Sequence, residues 1–179
     1  AGPPITFGMN KDHRPHLKQL VFGLNVTADG AVPVSHEIFS GNRTDDTIHR
    51  GNVEQLRQLL GRDDFIYVAD CKLATHKNLQ YIDGYGGKFV TVLPRTRAED
   101  QLFRRQLREG KRARWRQFLI VPNKRRKNDP PDVYWTTAVG PNLTDEGYRI
   151  VWCRSSQKLA LDALAREAAL ESAEAQLFH

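Results

Sequence analysis

The stretch "DDFIYVADCKLATHKN", residues 63–78, runs four apolar residues, Phe65 to Val68, into a single carboxylate, Asp70. A short apolar run bounded by polar residues predicts a buried strand over 65–69, and the residues after it predict a helix over about 75–83. In open α/β sheets the active site gathers at the carboxyl ends of strands, and a carboxylate there is rigidly aimed. Aspartate after a strand is also a common turn former and helix cap, so Asp70 carries either chemistry or local structure.

Working outward, Gly84-Tyr85-Gly86-Gly87 turns the chain into a second apolar strand over 89–93, closed by Pro94. Upstream, Leu20, Phe22, Leu24 and Val26 alternate along one run, and Val32, Val34, His36 and Ile38 along another, with Ala28-Asp29-Gly30 between them. Alternation at period two on both sides of a turn predicts a hairpin. Thr44 or Asp45 caps a helix whose apolar face is Ile48, Val53, Leu56, Leu59 and Leu60, and Gly61 ends it. Gly41 or Asn42 is suited to positive φ just before that helix. Strand, strand, helix, strand, helix, strand predicts a mixed α/β fold with the later strands parallel.

Beyond Pro94 the chain changes character. Residues 97–112 predict a basic helix, and β runs over 117–121, 133–139 and 148–153 predict a small antiparallel meander. Ser155 or Ser156 caps a last helix, rich in Ala, Leu and Glu, in which Leu159, Ala163, Leu170, Ala173 and Leu177 are expected to pack on their own domain.

The formal charge of the 179 residues is +6, and it is unevenly spread. Residues 95–127 hold 13 Lys and Arg (Arg95, Arg97, Arg104, Arg105, Arg108, Lys111, Arg112, Arg114, Arg116, Lys124, Arg125, Arg126 and Lys127) against Glu99, Asp100 and Glu109. Such a zone on an otherwise slightly acidic chain predicts a polyanionic partner, reached through phosphate contacts that do not read base sequence. Phe103, Trp115 and Phe118 interleave with the cations, and Phe103 and Trp115 are expected to pack the helix against the sheet. His13 and His16 in the loop Lys11 to His16 have no helix to align them and no third ligand nearby, so a metal site there is not expected. Cys71 and Cys153 form no CxxC pair and are read as reduced thiols. No apolar run is long enough to cross a bilayer and residue 1 opens no signal-like segment, so a cytoplasmic protein without membrane partners is expected.

In order, "KDHRPHLKQLVFGLNV" (11–26), "GNRTDDT" (41–47), "YVADCKLATHKNL" (67–79) and "GGKFVTVLPRTRAEDQLFR" (86–104) resemble bacterial insertion-sequence transposases of the DDE type. The resemblance implies an RNase H-like mixed sheet with flanking helices and an inserted small antiparallel β subdomain. It divides the chain into a partial core (1–95), a basic helix with inserted β region (96–154) and a C-terminal helix (155–179). It further implies metal-dependent DNA strand cleavage and transfer, with two Asp and one Glu holding two Mg²⁺ ions, DNA as partner, and a homodimer for the full-length parent. Asp70 corresponds to the second of the three acids, a metal ligand and catalytic residue. The first Asp of the family lies upstream of the Lys-Asp-His-Arg-Pro loop, where residues 1–9 hold no acid; the final Glu motif is missing too, and its role is not carried onto Glu167, Glu171 or Glu174. The expectation is therefore an internal piece of such a transposase, without turnover of its own. The alternative is a non-enzymatic nucleic-acid-binding module that uses residues 95–127.

Overall fold

The computed structural model describes residues 5–8, 14, 16–123 and 129–177. Most of the Lys11 to His16 loop and the cations Lys124, Arg125, Arg126 and Lys127 lie outside them. The fold is mixed α/β, with four α-helices and three small sheets among the described residues. The chain divides into two compact units, Ala1–Pro94 and Arg95–His179.

In the first unit, β1 (Thr6–Phe7) pairs with the start of β2 (Lys18–Val26), and β2 forms the expected antiparallel hairpin with β3 (Pro33–Ser40). The register sets Phe22 opposite Ile38 and Leu24 opposite His36, so the alternating apolar residues of both strands fall on one face. The left-handed turn residue is Ala31, at φ 53°, rather than a glycine. Gly41 does not adopt positive φ among the described residues; it is needed for space, because a Cβ there would collide with the backbone carbonyls of Gln19 and Thr6.

Helix α1 (Asp45–Leu60) starts after Thr44, whose backbone is extended but whose side chain makes no capping bond, and ends at Gly61 in the left-handed region, its N–H on the Arg57 carbonyl at 2.9 Å. Of the apolar face expected on α1, Val53 and Leu56 are buried, whereas Leu59 and Leu60 in the last turn are exposed. Strands β4 (Ile66–Ala69) and β5 (Lys88–Thr91) are parallel, as their apolar runs suggest, and α2 (His76–Gly84) connects them. Their core is Val53, Leu56, Tyr67, Leu73, Leu79 and Ile82, on the α1 and α2 side of the strands. The opposite face, with Leu20, Phe22, Leu24, Val26, Ile66, Val68 and Val90, is exposed.

The second unit holds α3 (Ala98–Arg108) and the antiparallel meander β6 (Arg116–Val121), β7 (Asp132–Thr137) and β8 (Trp152–Ser155). The last strand begins later than its apolar run because residues 142–150 close a hairpin of their own. Thr144 and Tyr148 are joined at 2.8 Å through the Thr144 N–H, and Ile150 donates to the Asn142 carbonyl at 2.8 Å. Helix α4 (Ser156–Leu177) contacts β7 and β8 at its start, and none of its residues is buried. The expected packing of Leu159, Leu170 and Leu177 on their own unit is not found: Leu159, Leu170 and Leu177 are exposed. No helix among the described residues is long and apolar enough to cross a membrane.

Candidate functional site

Strand β4 delivers Asp70 to the carboxyl end of the parallel pair. Tyr67, on the buried side of the strand, fixes its height: its hydroxyl meets His49 Nδ1 at 3.1 Å and accepts from Asn52 Nδ2 at 2.8 Å, both from α1. Burial pushes the Tyr67 hydroxyl pKa upward despite the Asn52 bond, so it stays neutral. Asn52 also exchanges two bonds with Asn25 of β2, at 2.6 and 2.9 Å. One helix thus holds both sheet pieces through a single side chain, although β2 and β4 do not pair.

Asp70 is exposed, just past the last paired residues, Ala69 and Thr91. Thr91 Oγ1 donates to the Asp70 carbonyl at 2.6 Å, tying β5 to the strand end. The carboxylate Oδ1 accepts the Lys72 N–H at 2.9 Å and so caps the short 3₁₀ turn Cys71–Leu73. That turn sends Leu73 into the core at 0% exposure. Asp70 therefore combines an outward, strand-end position with a capping bond, the two uses that its sequence position left open.

Among the described residues no group of three or more His, Cys, Asp or Glu side chains converges. The two-ion site that the resemblance implies takes three converging acids, and Asp70 belongs to no such group, so the described residues do not fit it.

The basic stretch is not one surface. Arg97 is enclosed by two carboxylates, donating to Glu146 at 2.6 and 2.8 Å and to Glu99 at 2.8 and 3.2 Å. Glu146 and Glu99 raise the Arg97 pKa further, and the Arg97 guanidinium holds Glu99 below the usual carboxylate range. Glu99 is 5% exposed and also accepts the Asp145 N–H at 3.1 Å, so this cluster fastens the 142–150 hairpin to α3. Arg104 pairs with Asp100 one turn back, at 2.6 Å. Arg95, Arg105, Arg108, Lys111, Arg112, Arg114 and Arg116 are exposed.

The aromatic residues pack. Phe103 stacks on Trp152 of β8 with ring centroids 4.0 Å apart, and Arg154 lies 4.5 Å from the Trp115 ring centre and 5.2 Å from that of Trp135. Phe103 thus packs α3 on β8, as its sequence context suggests, whereas Trp115 lies beyond the end of α3 and meets Arg154 of β8, and Phe118 is exposed. The supports of β4, His49, Asn52 and Asn25, were not singled out from sequence; their only local signal is that His49 and Asn52 share a face with the apolar Val53 and Leu56 on α1.

Searches of protein-family models, curated proteins and solved structures return no match to this chain.

Proposed function

We propose that the chain is an internal piece of a DDE transposase with an RNase H-like core. In this reading Asp70 is one acid of a metal-holding set whose other members lie outside the sequence. The observation that carries it is the divided sheet: an antiparallel hairpin and a parallel pair stand on one helix, joined through Asn52, without pairing to each other. β1 already holds the edge of β2 that faces away from β3, at Gln19 and Lys18, and a strand continuing β1 backward along that edge and reaching β4 would unite the two into a mixed sheet of the RNase H kind. Asp70, exposed at the carboxyl end of β4, would then stand beside that strand, where the resemblance puts the first Asp. DNA is the partner, and the exposed cations of the second unit supply phosphate attraction.

The test is a strand-cleavage and strand-transfer assay in Mg²⁺ or Mn²⁺. The 179 residues alone give no product, and Asp70→Asn abolishes product formation by the longer reading frame that encodes them. A longer protein that keeps its activity after this substitution refutes the assignment.

The capping bond from Lys72 N–H favours a second reading, a binding module in which Asp70 only closes a turn. Asparagine also caps, so in that reading Asp70→Asn changes neither stability nor DNA binding.

A further inference from the structure

On the second unit an open cleft of about 680 Å³ lies between the start of β6, the end of β7 and the 142–151 segment. Arg114, Arg116 and Arg149 line it together with Thr137 and Asn142, and none of its lining residues is a carboxylate. The three arginines come from two stretches more than thirty residues apart. The β6–β7 register sets Arg116 beside Thr136, and the bridge between Leu143 and Arg149 brings the third guanidinium to the same cleft. All three are exposed, and none belongs to an ion pair among the described residues. Arg97 and Arg104, by contrast, are already matched by acids. Three like charges gathered without counter-charges repel one another, and a bound polyanion removes that cost.

We infer that this cleft seats the sugar-phosphate backbone of duplex DNA, with Arg114, Arg116 and Arg149 each facing a phosphate. The inference rests on the DNA-binding reading above and gives it an address, including Arg149, which lies outside the basic stretch. Duplex is favoured over single strand because no aromatic side chain lines the cleft, and single-strand binding draws on base stacking.

The test is fluorescence anisotropy of a labelled mixed-sequence duplex titrated with the whole chain across a range of salt. Two triple variants are compared with the unsubstituted chain: Arg114→Gln with Arg116→Gln and Arg149→Gln, and the same positions changed to Lys. Three lost phosphate contacts lower the slope of log affinity against log salt by about 2.7. The Gln variant shows this fall and at least roughly tenfold weaker binding at low salt; the Lys variant keeps the slope, since a point charge suffices for a phosphate. Both variants shorten or alter the same exposed stems, so a folding defect would appear in both and a lost charge in one. Arg105→Ala with Arg108→Ala on α3 serves as comparison and lowers the slope less. If the Gln variant keeps the original slope while the unsubstituted chain binds duplex, the cleft is not the site and the DNA-binding reading stands. If the unsubstituted chain shows no salt-dependent binding to the duplex, the DNA-binding reading fails, and the cleft assignment with it.

Discussion

Arg97 and Arg116 carry the same formal charge and lie in the same basic stretch, yet they are different physical objects. Arg116 is exposed at the edge of a cleft, whereas Arg97 donates to both Glu99 and Glu146 and ties α3 to the 142–150 hairpin. Arg97→Ala would leave Glu99, 5% exposed, as a buried carboxylate without its cation, a loss of about 3 kcal/mol. The expected result is a lower urea midpoint for the second unit with an unchanged salt slope for duplex binding; an unchanged midpoint would show that the pair holds nothing. Sequence could not separate these two arginines, because one partner of Arg97 lies 49 positions away. Asp70 was legible for the opposite reason: the apolar run that forms its strand is local and leads directly to it, although the strand is not buried as its run suggests, since Tyr67 lies in the core while Ile66 and Val68 are exposed. Its support was not legible, because Asn25, Asn52 and Tyr67 meet only after β2, α1 and β4 have folded together.

Among the elements, the hairpin, the parallel pair and the first two meander strands follow from alternation and apolar runs and appear close to where their residues predict them, while the last meander strand, expected over 148–153, is displaced to Trp152–Ser155. Helix α4 shows where local signals run out. Its start is well specified: Ser155 Oγ accepts the Lys158 N–H at 3.1 Å, and Asp132 of β7 accepts the Gln157 N–H at 3.0 Å and the Ser156 hydroxyl at 2.8 Å. The serine cap was readable from its place before the helix, but the carboxylate arrives from 25 positions earlier, across the sheet. Burial works against the charged form of Asp132, and the bonds from Gln157 N–H and Ser156 outweigh it, leaving its pKa below the usual carboxylate range. A depressed folded-state pKa means that the contribution is complete above the unfolded value and disappears as pH falls through the folded value. Helix content followed by far-ultraviolet circular dichroism should therefore fall on acidification below the ordinary Asp range. Asp132→Ala should start from lower helix content at neutral pH and lose less on acidification. Equal acid loss in both proteins would remove Asp132 from the helix cap.

For the molecule as a whole, the arrangement of polar and apolar surface decides how it behaves in water. In the first unit the helices cover one side of the strands only, and on the other Phe22 is 60% and Val68 is 67% exposed, with Leu20, Leu24, Ile66 and Val90 exposed on the same strands. Soluble monomers seldom leave contiguous apolar patches larger than about 300–600 Å² open. Alternation as strict as that of β2 and β3 ordinarily buries the apolar face of a sheet and wets the polar one, and here the apolar set is the wet one. The divided sheet and this bare face have one cause in the proposed reading, since a core lacking part of its sheet also lacks what packs on it. The whole chain should therefore bind an apolar dye and associate with rising concentration in sedimentation measurements. Phe22→Lys with Val68→Lys should suppress both effects. It should cost only about 0.5 kcal/mol per site, because neither side chain lies in the Leu73 core. A chain that stays monomeric and dye-free without these substitutions would mean that the face is covered from within, and the divided sheet would then need an explanation other than a missing strand.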